Sequence, residues 1–195
     1  MTYAKKIIKK IDKKAATICI VGLGYVGLPL IIRFSSIGYK VLGIDKDRKK
    51  ISNLKKGKSY ISHISDESLN CFKKNEASFN LDFKQISKAD VIILCVPTPL
   101  DKHKEPDLSF VKETLGNVMP FLKKGQLISL ESTTYPGTTE EMIVKEIETK
   151  RGFKVGEDIF VAYSPEREDP GNKNFTTNTI PKICGGHTAH CLKIA

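Results

Sequence analysis

The run Gly22-Leu-Gly-Tyr-Val-Gly27, with what flanks it, limits this chain to very few folds. Before it lies Thr17-Ile-Cys-Ile-Val21, short, β-branched and apolar, the signature of a buried parallel strand. After it, residues 25–37 read as a helix stopped by Gly38, and a second run, Lys40-Val-Leu-Gly-Ile44, ends in Asp45, 23 residues past Gly22. Strand, G-x-G-x-x-G, helix, strand and terminal acid together form the dinucleotide-binding fingerprint. Gly22 permits a tight turn out of the strand, Gly24 lets backbone approach a diphosphate, and Gly27 lets the helix lie close to the sheet. The free N–H groups of the helix's first turn face the phosphates, where the helix dipole favours an anion. Asp45 is placed to accept hydrogen bonds from an adenosine ribose. Its charge would repel a 2′-phosphate, which favours NAD over NADP, although Lys46 and Arg48 beside it weaken that preference.

Apolar runs alternate with helical segments through the rest of the chain. Residues 47–56 read as a helix ended by Gly57, 57–65 as a polar loop, 66–74 as a short helix and 78–83 as an outer strand. Asp90 to Val96 is the clearest strand, ended by Pro97-Thr-Pro99. Residues 108–122 read as a helix, 126–131 as a strand, and Thr138 with Glu141 has capping-box spacing at the start of a helix reaching about Lys150. Strands follow at 158–163 and 180–184, then a helix from His187. Continuous rather than alternating apolar runs call for a doubly wound, mostly parallel α/β sheet of Rossmann type with helices on both faces. Residues 1–15 form a separate basic amphipathic helix, with Ala4, Ile7, Ile8, Ile11 and Ala15 on one stripe, and 16–195 form the dinucleotide-binding domain. The stripe is expected to pack on the domain or on a second subunit.

Charge needs a local reading. The net charge is +10, but residues 1–14 supply half of it, with six lysines and one aspartate. Only four of the 32 basic residues are arginine and there is no tryptophan, so a nucleic-acid partner is not expected. No apolar run has the length of a membrane span, and no apolar segment follows the N-terminal lysines as in a secretory signal. A cytoplasmic protein is expected. The five cysteines show no C-x-x-C spacing and Cys19 and Cys95 sit inside apolar strands, so they read as buried thiols; no metal site is expected.

Ligands of open α/β sheets bind past the carboxyl ends of the strands. That rule selects Pro97-Thr98-Pro99, Ser132-Thr133-Thr134 and Ser164-Pro165-Glu166-Arg167. Threonine hydroxyls there can bond a ribose or hold a water, and Glu166 can act as a base or orient that water. Turn formation and capping explain the same residues without function.

Four segments taken together, Val21-Gly-Leu-Gly-Tyr-Val-Gly-Leu-Pro29, Val96-Pro-Thr-Pro99, Glu131-Ser-Thr-Thr-Tyr-Pro-Gly-Thr-Thr139 and Ser164-Pro-Glu-Arg-Glu-Asp-Pro-Gly-Asn172, resemble the UDP-glucose/GDP-mannose dehydrogenase family. The likeness is greatest to the branch that oxidises UDP-N-acetylhexosamines. The resemblance implies that two NAD molecules in turn take hydride from C6 of the sugar, through an aldehyde-level intermediate on a cysteine to the carboxylate. It implies cofactor contacts from Gly22, Gly24, Tyr25, Val26, Gly27, Asp45, Lys50, Thr98 and Thr133. It puts Glu166 and Thr133 at the reacting carbon and its water, and Arg167 and Glu168 on the nucleotide sugar. It further implies a homodimer for the full-length enzyme. The family's nucleophilic cysteine and its partner lysine belong to a segment beyond residue 195, and neither Cys184 nor Cys191 sits in the cysteine's motif. The chain is therefore expected to be the cofactor-binding half of a longer enzyme, binding NAD without turnover. Alternatives are another NAD-dependent dehydrogenase with the same first half, a non-catalytic nucleotide-binding module, or membrane attachment through the basic helix.

Overall fold

A computed structural model describes residues 1–100, 102, 104–165 and 181–195. Among these, seven strands form one sheet: β1 (Thr17–Val21), β2 (Lys40–Ile44), β3 (Ser78–Asn80), β4 (Val91–Leu94), β5 (Leu127–Leu130), β6 (Phe160–Tyr163) and β7 (Gly185–Gly186). Their order is β3-β2-β1-β4-β5-β6-β7. The first six are parallel and β7 joins β6 antiparallel. All residues of β4 and β5 are buried. Successive strand side chains point to opposite faces, so burial of every residue means that both faces are covered. This is the doubly wound architecture that the apolar runs imply.

The helices are α1 (Tyr3–Asp12), α2 (Gly27–Ser36), α3 (Arg48–Lys55), α4 (Cys71–Lys74), α5 (Ser109–Val118), α6 (Lys145–Arg151) and α7 (Ala189–Ile194). Their ends follow local chemistry. The Asp47 side chain caps α3 by accepting from Lys49 N at 2.7 Å, and Gly152 ends α6 in the left-handed conformation at φ 63°. Helix α1 packs on the domain: Ala4 and Ile7 are buried, the Tyr39 hydroxyl donates to Ile11 O at 2.9 Å, and Lys10 pairs with Asp90 at 2.5 Å.

Three local expectations are corrected. Thr138 and Glu141 form no capping box: the Thr138 hydroxyl donates to Tyr135 O at 2.8 Å, and Glu141 accepts from the Tyr135 hydroxyl at 2.9 Å. The turn at Gly137 (φ 99°) leads instead into a π-helical stretch, Thr139–Val144, before α6. Among the described residues the last strand is Gly185–Gly186 rather than 181–184: Ile183 is 57% exposed, and the contact with β6 begins at Gly185 and continues to His187 N, which donates to Val161 O at 3.1 Å. Cys184 is therefore an exposed residue just before β7 rather than part of a strand.

Candidate dinucleotide site

The chain winds from β1 to β3 on one side, then returns to β4 beside β1 and builds the other side outward. The order reverses between β1 and β4, and past their carboxyl ends lies a cleft of about 460 Å³. A binding crevice forms at this point in such sheets because the loops after the two central strands diverge.

The glycine-rich turn forms one wall. Gly22 has φ 92°, and a Cβ there would lie 2.4 Å from Cys95 O at the end of the neighbouring strand. A Cβ on Gly27 would lie 1.9 Å from Gly22 O, so only glycine lets α2 start this close to the turn. At Gly24 a Cβ would meet nothing within 4 Å, and the open space is the cleft itself. The backbone N–H groups of residues 24–27 have no acceptor among the described residues. Four neighbouring donors at the start of a helix suit a diphosphate.

Asp45 is 7% exposed at the cleft end of β2. Its Oδ2 accepts from Leu23 N at 2.8 Å and Lys50 Nζ at 3.1 Å, and its Oδ1 accepts from Asp47 N at 2.9 Å. An ionised carboxylate has about four acceptor positions, so Oδ1 keeps one for a ribose hydroxyl. The aspartate expected to bind ribose thus also holds the turn. Lys46 leans away from it, 5.0 Å from the Phe110 ring centroid and 3.8 Å from Glu113 Oε2.

Gly22, Gly24, Tyr25, Val26, Asp45, Lys50, Thr98 and Thr133 all line this one cleft, while Gly27 lies beneath the turn. Ser132 next to Thr133 spends its hydroxyl on Val96 O at 2.7 Å, tying the end of β5 to that of β4. Glu166, Arg167 and Glu168 lie outside the described residues. The sequence reading missed the far wall: Phe110, Glu113, Thr114 and Asn117 of α5, with Phe83 and Glu131. The i, i+3, i+4, i+7 spacing from Phe110 to Asn117 is the signal of a common helix face, though not of what that face meets. Glu131 is buried and pairs with Lys182 across the end of the sheet.

Strand order, turn and acid together define a Rossmann-type dinucleotide-binding domain. Residues 16–195 match the UDP-glucose/GDP-mannose dehydrogenase family, NAD binding domain, and the chain belongs to that family. It is 38% identical over 181 residues to a UDP-N-acetyl-D-glucosamine 6-dehydrogenase of Pseudomonas aeruginosa, covering 93% of this chain and 42% of that one. It is 40% identical over 171 residues to a UDP-N-acetyl-D-mannosamine dehydrogenase of Methanococcus aeolicus, covering 86% and 37%. Its fold matches the crystal structure of an NDP-N-acetyl-D-galactosaminuronic acid dehydrogenase from Methanosarcina mazei Go1 with a TM-score of 0.84 at 30% identity, over 100% of this chain and 43% of that one. The chain spans about two fifths of the length of the curated relatives it matches. Among the described residues no helix is long and apolar enough to cross a membrane.

Proposed function

We propose that this chain holds the cofactor for an NAD-dependent nucleotide-sugar dehydrogenase that oxidises a UDP-N-acetylhexosamine to its uronic acid in two steps. The observation that carries the reading is that one cleft brings together the unpartnered N–H groups of Gly24, Tyr25 and Val26 and the Asp45 carboxylate. The names of the relatives support the substrate class. Bound NAD supplies the hydride acceptor. Residues 24–27 would hold its diphosphate and Asp45 its adenosine ribose. The hydroxyls of Thr98 and Thr133, with no partner among the described residues, would meet the nicotinamide side and a water. Glu166 would stand at the reacting carbon, and Arg167 and Glu168 would contact the nucleotide sugar. The enzyme would work in the cytoplasm in polysaccharide biosynthesis, as a homodimer when full length.

These 195 residues alone are expected to bind NAD without turnover. A thiolate nucleophile needs an accessible cysteine of lowered pKa. Cys19, Cys95 and Cys191 are buried, burial pushes the Cys19 thiol far up, and Cys71 lies on α4 outside the cleft with its thiol against Ser68 O. The Cys184 thiol is also raised, by partial burial and then by the Glu131 charge. Calorimetric titration should show NAD binding and weaker NADP binding. A spectrophotometric assay with UDP-N-acetylglucosamine or UDP-N-acetylmannosamine should show no NADH formation. Absence of NAD binding would sink the assignment; steady NADH formation would sink only the inactivity of this stretch.

A further inference from the structure

The loop between α3 and residue 66 takes no part in the glycine fingerprint, yet two of its side chains touch the glycine-rich turn. The Tyr60 hydroxyl donates to Leu23 O at 2.5 Å. The His63 ring stacks on Tyr25, with centroids 6.0 Å apart and planes at 25°. From the opposite side Leu23 N donates to Asp45 Oδ2 at 2.8 Å. Leu23 is therefore gripped at both of its backbone polar atoms. Lys50 links the two grips, with Nζ 3.1 Å from Asp45 Oδ2 and 5.9 Å from the Tyr60 ring centroid.

Peptide planarity turns this grip into a functional one. The Leu23 carbonyl and the Gly24 N–H belong to a single trans unit and point in opposite directions, so fixing one fixes the other. Gly24 lines the cleft, and its N–H has no acceptor among the described residues. We propose that Tyr60 is a positioning residue: by holding the Leu23 carbonyl, its hydroxyl aims the Gly24 N–H and presets the turn for the diphosphate of a dinucleotide. The proposal rests on reading the cleft as the NAD site. Burial, helped by the charges of Asp45 and Asp47, pushes the phenol pKa up, so the hydroxyl remains a donor at neutral pH. Preorganised donors bind more tightly because their ordering is complete before the ligand arrives.

Tyr60→Phe removes the hydroxyl and keeps the ring. Calorimetry with the 195-residue chain should show the dissociation constants for NAD and for ADP-ribose rising together, by roughly five- to tenfold. ADP-ribose is the informative companion, because it carries the diphosphate without the nicotinamide. In ¹H–¹⁵N spectra the Gly24 amide should move while the amides of β4 and β5 stay in place, and the melting temperature should stay near that of the parent chain. Unchanged affinity with an unmoved Gly24 amide would overturn the positioning role and leave the NAD site intact. Weakened binding accompanied by a fallen melting temperature and shifted sheet amides would also overturn it, by showing general structural support. Failure of the parent chain to bind NAD would remove the site reading and this inference together.

Discussion

Asp45 shows how much one side chain does at this site. It meets the turn through Leu23, the start of α3 through Asp47, and Lys50, and it keeps an acceptor position toward the cleft. Asp45→Asn preserves size but removes the charge and one acceptor, and hydrogen bonds to charged groups contribute about 1.5–3 kcal/mol. NAD affinity should fall roughly tenfold or more, and discrimination against NADP should shrink because the repulsion of a 2′-phosphate is gone. Parallel titrations with NAD and NADP check both. The ribose role proposed for Asp45 is suggested by the sequence because its spacing from Gly22 fits the fingerprint. Its grip on Leu23 is not, and neither is Tyr60, a lone aromatic in a polar loop whose partner lies 37 residues earlier in the chain.

Among the elements, β5 is anchored at the end away from the cleft. Gln126, 3% exposed, donates through Nε2 to Ile86 O at 2.9 Å and Ala89 O at 2.8 Å, and accepts from Lys123 N at 2.7 Å. Gln126→Ala leaves Ala89 O and Lys123 N without partners and Ile86 O with only the Ala89 N–H, a loss of about 2–3 kcal/mol. The melting temperature should drop by roughly 5–10 °C by calorimetry, while NAD affinity of the folded protein is unchanged. Apolar runs located β1, β2, β4, β5 and β6 because strands buried on both faces leave a continuous pattern. The same reasoning failed at β7: a two-residue glycine strand has no side chains to form a pattern, and its pairing with β6 alone defines it. The start of α6 failed differently. Thr138 and Glu141 have the right spacing, but Tyr135 takes both side chains, and the turn at Gly137 fixes the backbone first.

At the scale of the whole molecule, ligand and fold are linked. NAD at one hundred times its dissociation constant should stabilise the folded chain by about 2.7 kcal/mol. That corresponds to a rise in melting temperature of roughly 5–10 °C for a chain of this size, measurable by thermal-shift assay, with a smaller rise for NADP at equal concentration.

From the residues in order one could already derive the parallel α/β sheet, the glycine-rich turn proposed for the diphosphate and the acid proposed for the ribose. The turn and the acid lie within a single strand–helix–strand unit between residues 17 and 45, where spacing along the chain is nearly spacing in space, and the sheet shows itself in the continuous apolar runs. The far wall from α5, the double duty of Asp45 and the hold of Tyr60 on the turn emerge only once the strands pair. They join segments tens of residues apart, and no local pattern records which loops the pairing of β1 with β4 will bring face to face.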